Sequence, residues 1–525
     1  MPFRLLLAAA FAVLAAAPSA QPAECVDGRA AGFECDGIDL LAFISPEDLG
    51  APTFGQCPPP YPELCANDIW GWTDPETARR YAIIGLPNGT AFVDLSEPAA
   101  PVRLGLLPTA TASSSWRDVK AVGNVAVIVS EARGHGMQVF DLTRLRGLGE
   151  DAARRFEADA RYTGFGSAHN VAVNEETMRA YAVGSRPSGG FPSECGAAGL
   201  HAVDLSDPMQ PAFLGCFSDA LEDAGSNSPG YTHDVQCVVY RGPDADYQGR
   251  ETCFASNENV VTIFEVNDAA DARVVSQIEY PNDGYTHQGW LTEDQRYFLA
   301  NDEFDELIAV NSGDPAPQRT LVMDVQDLDA PEFAFEYRSN LSTVDHNLYV
   351  LDGLAFQSNY ESGLRVVSLD GLEDETLEEV AFFDTYTPGT SVNFAGQWSN
   401  YPFFGDGLVI VTDGETGFFI LQMADAMVLD VEGAAGAPGF SLSDPSPNPT
   451  ASRARAVLEV ATGQAVRAEL FDVAGRRVAS VFEGAASAGA EVVLEVETGR
   501  LPAGVYVLRV TGETFEASKR LVLTR

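Results

Sequence analysis

Lysine is almost missing from this chain: only Lys120 and Lys519 occur in 525 residues, arginine supplies the other cations, and the formal net charge is −44. A surface so acidic repels itself unless salt screens it. It argues against nucleic acid or anionic lipid as partners, because both need positive charge. It suits a saline habitat, or simply an acidic exported protein. Long hydrophobic runs are also missing. After the first twenty residues no segment approaches the ~18 continuous apolar residues of a membrane-crossing helix, so no transmembrane span is expected in the mature chain. No Cys-x-x-Cys occurs, which leaves zinc knuckles and thioredoxin-like sites unsupported. Gly-x-Ser-x-Gly, a phosphate loop, His-Glu-x-x-His and a Rossmann fingerprint are absent where they would be needed. Histidine is scarce too, at six.

The chain opens with Arg4, an apolar run from Leu5 to Ala17, and small residues ending at Ala20. This is the pattern of a secretory signal peptide over 1–20. Eight cysteines follow: Cys25, Cys35, Cys57, Cys65, Cys195, Cys216, Cys237 and Cys253. An even number in an exported chain implies disulfides. Pairing of sequence neighbours is the simplest expectation, although sequence alone does not fix it.

From about 67 to 423 one phrase returns seven times, an apolar β-run often closed by an acidic turn. Examples are "GTAFVDLSEP" from Gly89, "GMQVFDLTRL" from Gly136, "GLHAVDLSDP" from Gly199 and "GLRVVSLDGL" from Gly363. Each copy follows a strand–turn–strand unit with hairpin chemistry at its turn. The period of roughly 46 to 64 residues suits four strands per unit. Seven such units predict a seven-bladed β-propeller; tandem β-sandwiches would not repeat one phrase seven times. The expected domains are a cysteine-containing segment over 21–66, the propeller over 67–425, a Gly/Pro/Ser-rich linker over 426–446 and a small all-β sandwich over 447–525.

Two resemblances follow from particular motifs. The tail carries "PNPT" at 447–450, "ELFDVAGRRV" at 469–478, "LPAGVYVLRV" at 501–510 and a closing "KRLVLTR". It resembles the C-terminal sorting domain of the type IX secretion system. The resemblance implies that the secretion machinery carries the protein across the outer membrane, for release or surface attachment. Over about 25–425 the chain resembles the choice-of-anchor B family of LVIVD-repeat propellers. The matching residues include "CDGIDLLAFISPEDLGA" at 35–51, "NDIWGW" at 67–72, "WRDVK" at 116–120, "THDVQC" from Thr232 and "THQGWLTEDQRYFLANDEFDE" at 286–306. That family implies architecture and address, not a defined activity.

His169, His233, His287 and His346 occupy the same place in four consecutive repeats, just ahead of the first strand. Trp70, Trp116 and Trp398 stand near that place in the others. The first strand of a blade lines the central channel, so these side chains are expected to meet at the funnel. The polar residues beside them are Asp118, Asn170, Asp234, Gln288 and Asn347. With Trp116 and Trp398 these form a candidate ligand-binding set, and the four histidines form a candidate metal set for zinc or copper ahead of calcium. A reading of at least equal weight makes the histidines structural, hydrogen-bonded within each blade as in Trp-Asp-repeat propellers. Confinement to four neighbouring blades favours the site reading. His135 and His201 fall outside the pattern. The run "NDEFDE", with Asp302, Glu303, Asp305 and Glu306, could take calcium but lacks EF-hand spacing and reads as a solvated turn. Three functions remain: a surface-displayed or released module binding an unknown ligand or protein; a metal-dependent hydrolase or oxidoreductase; and an adhesion scaffold.

Overall fold

A computed structural model describes residues 22–191, 195, 199–218, 230–268, 272–313, 316–424 and stretches of 440–523. The signal segment and most of the linker lie outside these residues. Seven antiparallel sheets follow one another between 69 and 423, and in each the strands from this span lie in sequence order. Blade one shows the pattern: Ile69–Thr73, Arg80–Leu86, Gly89–Asp94 and Val102–Pro108, each paired with the next. Blades two to seven occupy 117–162, 170–217, 234–278, 286–338, 347–383 and 397–423. The middle strands are β-branched and aromatic and are buried on both faces, as blades packed between blades require. Phe92 of blade one stacks on Phe140 of blade two, and Phe254 of blade four on Phe298 of blade five.

The acidic end of the repeated phrase has a local cause. Asp94, Asp141, Asp204 and Asp324 each accept the main-chain N–H two residues on, from Ser96, Thr143, Ser206 and Gln326. This turn ends the third strand and starts the crossing to the fourth.

The seventh sheet departs from expectation. Residues 21–66 do not stand apart from the propeller: Ile38–Ile44 pairs antiparallel with Gly417–Met423 and completes blade seven. Ile38 and Leu40 are fully buried in its core with Val411, Phe419 and Leu421. Residues 397–423 contain only three strands, so the ring closes on a strand from the other end of the chain. Arg29–Ala30 and Phe33–Asp36 extend blade six in the same way.

The four disulfides join Cys25–Cys35, Cys57–Cys65, Cys195–Cys216 and Cys237–Cys253, the neighbour pairing. They are the chemistry of an oxidising compartment. No helix among the described residues is long and apolar enough to cross a membrane. The tail forms two sheets, of three and four strands, over one apolar core that includes Ala456, Leu470, Leu494 and Leu508.

Candidate functional site

The four histidines meet as an arc around the channel. Ring centroids lie 4.5 Å apart from His169 to His233, 4.1 Å from His233 to His287 and 4.4 Å from His287 to His346. Trp398 of blade seven follows at 5.0 Å. Their hydrogen bonds run between blades rather than within one. His233 Nδ1 lies 3.0 Å from the carbonyl of His287, His287 Nδ1 3.0 Å from that of His346, and His346 Nδ1 2.6 Å from that of Trp398. A carbonyl only accepts, so each Nδ1 carries the proton and each Nε2 keeps its lone pair. Burial, reinforced by the neighbouring imidazoles, holds His233 and His287 far below the usual histidine range. Burial also takes His346 to about 3. These rings are neutral, the form that binds metal.

Glu303 is the residue that sequence reading placed in a solvated turn. It is buried at the end of a blade-five strand. Its carboxylate lies 3.8 Å from His287 Nε2 and 3.9 Å from His346 Nε2. Those gaps are too long for hydrogen bonds. Ligand atoms ~2.1 Å from a tetrahedral ion stand ~3.4 Å apart; one ligand atom from each of these three residues lies within 4.8 Å of the other two, so the trio is close to a coordination set without being drawn into one. Tyr360 donates its hydroxyl to Glu303 at 2.7 Å. Burial raises Glu303 to about 7 against the pull of that bond. Above the trio a cavity of about 430 Å³ opens, lined by Tyr61, Trp116, Phe304, Tyr360, Phe394 and Trp398, with Glu63 and Glu415 among its acidic residues. Tyr61 comes from the loop closed by the Cys57–Cys65 disulfide.

The polar residues beside the histidines fasten one blade to the next. Asp68 accepts the Val119 N–H, Asp118 that of Val171, and Gln288 that of Leu348. Asn170 and Asn347 donate to the His233 and Trp398 carbonyls. Asp234 accepts from Asn170 and from the Val235 N–H, and burial raises it to about 6. Lys120 completes this layer, 2.6 Å from Asp118 and 2.9 Å from Asp68. Burial works against its charge, but the two carboxylates outweigh burial and raise its pKa. Two tryptophans do not hold the histidine position. Trp70 points to the opposite end of the channel, against Tyr349 and Tyr401. In blade two the equivalent residue is Arg117, buried against His135 at 3.1 Å, while Trp116 faces the mouth. His135 and His201 lie in the interior away from the arc; His201 bonds the Tyr162 hydroxyl at 2.7 Å.

No protein-family model matches this chain, and no curated protein does. Solved structures with some likeness include the β-propeller domain of Myceliophteria thermophila Cps50 (Swd1). It is 10% identical with a TM-score of 0.43, over 68% of this chain and 97% of that one. Another is a protein from Lactobacillus plantarum, 12% identical with a TM-score of 0.41, over 82% of this chain and 100% of that one. A functionally unknown protein from Desulfotomaculum acetoxidans is 11% identical with a TM-score of 0.39, over 62% and 87%. The blade topology described above is what defines the architecture.

Of the rest of the acidic run, Asp302 and Glu306 are buried and Asp305 is half-buried. Asp302 accepts from the Gly284 and Tyr285 N–H groups and from the Tyr280 hydroxyl, and it pairs with Arg319. Arg319 also bonds Asp305. Glu306, in the first turn of the helix Asp305–Ser312, is fully buried. Burial, with Asp345 and Asp305 close by, pushes it up to about 12. Asp345 is raised by burial and then by Asp305 and Asp302. A solvated turn is therefore the wrong description of this run; the strand end and helix start carry it into the wall of blade five.

Proposed function

We propose that this protein is an exported binding propeller whose funnel mouth holds a divalent transition metal on His287, His346 and Glu303, and that the metal anchors a ligand in the cavity above. One observation carries the reading: two proton-free imidazole nitrogens and a carboxylate converge at non-bonding distances in a buried site. Neutral imidazole with carboxylate suits zinc or copper. The carbonyls that orient the rings, and Tyr360 on Glu303, supply the supporting contacts that metal ligands need. The aromatic walls favour a ligand with a flat or apolar face. The carboxylates of Glu63 and Glu415 disfavour an anionic one. Export belongs to the same reading: a choice-of-anchor B propeller delivered by the type IX machinery through its tail, then released or held at the surface.

Three protein ligands leave a coordination position open toward the cavity, and this favours a second reading, a metal-dependent hydrolase or oxidoreductase. Metal analysis of the purified full chain tests the shared core. One zinc or copper per chain, lost from His287→Ala and from His346→Ala while both stay folded, supports it. No bound metal in the wild type overturns it. Turnover of ester, phosphoester or phenolic probes by the loaded protein would then select the enzymatic reading.

A further inference from the structure

The end of the channel opposite the histidine arc holds a second cavity, of about 280 Å³. Trp70, Lys120, Gln236, Trp290 and Tyr349 all line it. They stand three residues beyond Asn67, Arg117, His233, His287 and His346, so they form one ring of equivalent positions. Three residues of extended strand advance ~10 Å, which carries this ring away from the mouth. Tyr349 stands between the two indoles, with centroids 5.7 Å from Trp70 and 5.0 Å from Trp290 and at 74° to each. Phe403 packs against all three rings. Rings that meet edge to face make a curved wall, not a flat slot. Several polar groups on this wall are unspent. Gln236 is 8% exposed; its Oε1 accepts the Leu291 N–H, which fixes the amide and leaves Nε2 without a partner among the described residues. Gln288, 4% exposed, does the same with the Leu348 N–H. The Tyr349 hydroxyl also has no partner among the described residues. The cations, by contrast, are engaged. Lys120 is held by Asp68 and Asp118, and Arg241 by both oxygens of Glu176.

We propose that this end of the channel is a second binding site, for a neutral saccharide, independent of the metal. A sugar ring has a face of C–H groups and a rim of hydroxyls. The face suits the aromatic wall. Trp290 is its chief platform, because Lys120 Nζ already lies 5.0 Å over the Trp70 ring. The hydroxyl oxygens accept from the Gln236 and Gln288 amides, donors that are costly to bury unpaired. An anion is disfavoured, because the cations are committed and the carboxylates of Glu175 and Asp234 line the same cavity. A flat heteroaromatic ring needs parallel faces to stack between, and this wall offers none. The volume lies at the small end of ligand cavities, so it suits one or two sugar units.

The test titrates full-length protein with glucose, galactose, mannose, N-acetylglucosamine, xylose and cellobiose, followed by calorimetry and tryptophan fluorescence. At least one sugar should bind saturably and shift the emission of Trp70 and Trp290. Gln236→Glu keeps the acceptor for Leu291 and removes the free donors. It should stay folded, checked by Tm, and weaken binding about tenfold, the scale of one hydrogen bond. Tyr349→Phe removes one oxygen and should weaken binding by a smaller factor. Trp290→Ala should abolish binding. EDTA should leave binding unchanged, which separates this site from the metal at the mouth. Four results overturn the proposal: none of the sugars binds; glucuronate, galacturonate or adenosine binds more tightly than every neutral sugar; binding is unchanged in both Gln236→Glu and Trp290→Ala; or EDTA removes it.

Discussion

The channel has two unlike halves. In blades three to six the position ahead of the first strand holds imidazoles whose Nε2 atoms are not used to hold the blades together. In blades seven, one and two the same position holds Trp398, Asn67 and Arg117. Beside these the Lys120 ammonium is fully engaged by Asp68 and Asp118. Asn67 donates to the Ser115 carbonyl, and Arg117 to that of Leu86. Both halves are buried and polar, but in the second most donors meet acceptors and Lys120 pairs with carboxylates, while Arg117 is held by the Leu86 carbonyl and His135 without a counter-charge. The first half ends at Glu303, where acceptors face one another. Buried polarity alone does not mark a site; buried polarity left incomplete does.

The largest effect should come from the completed half. Lys120→Met leaves two carboxylates buried without their cation and should cost about 3–5 kcal/mol, read by chemical denaturation. Combining it with Asp68→Asn and Asp118→Asn, which keep the acceptors for Val119 and Val171, should recover much of that loss. If the single variant is as stable as the wild type, the contrast between the halves is wrong. Next come the histidines. His233→Ala removes one ring-to-carbonyl bond and should cost about 1–2 kcal/mol, yet keep the metal. His287→Ala should cost a similar amount and lose the metal. Equal metal loss in both would make the whole arc, rather than the trio, the ligand set. The smallest change is Tyr360→Phe. It should shift stability by less than about 1 kcal/mol while weakening metal binding roughly tenfold, measured by competition with a chelator.

Much of this was legible in the chain. The recurring Asp-x-Ser/Thr phrase marks a turn that each blade needs, and hairpin residues mark the rest. The spacing of His169, His233, His287 and His346 placed them in one ring, because equivalent positions of a radial array meet at its axis. Other features were hidden. Ile38–Ile44 looks like any strand, although a seventh unit with only three strands was a signal that one was missing. Trp116 and Arg117 differ by one register step, and in a strand one step turns a side chain to the other face. "NDEFDE" reads as solvated because its composition is acidic. Only the path from strand end to helix start shows that Glu303 and Glu306 turn inward.

X-ray absorption at the metal edge of zinc-loaded full-length protein tests the central claim most directly. The account predicts a first shell of two imidazole nitrogens with oxygen neighbours at about 2.0–2.2 Å, losing one oxygen in Glu303→Ala and disappearing in His346→Ala, which does not retain the metal. A shell of four imidazoles, a shell with no imidazole, or a spectrum unchanged by both substitutions would contradict it.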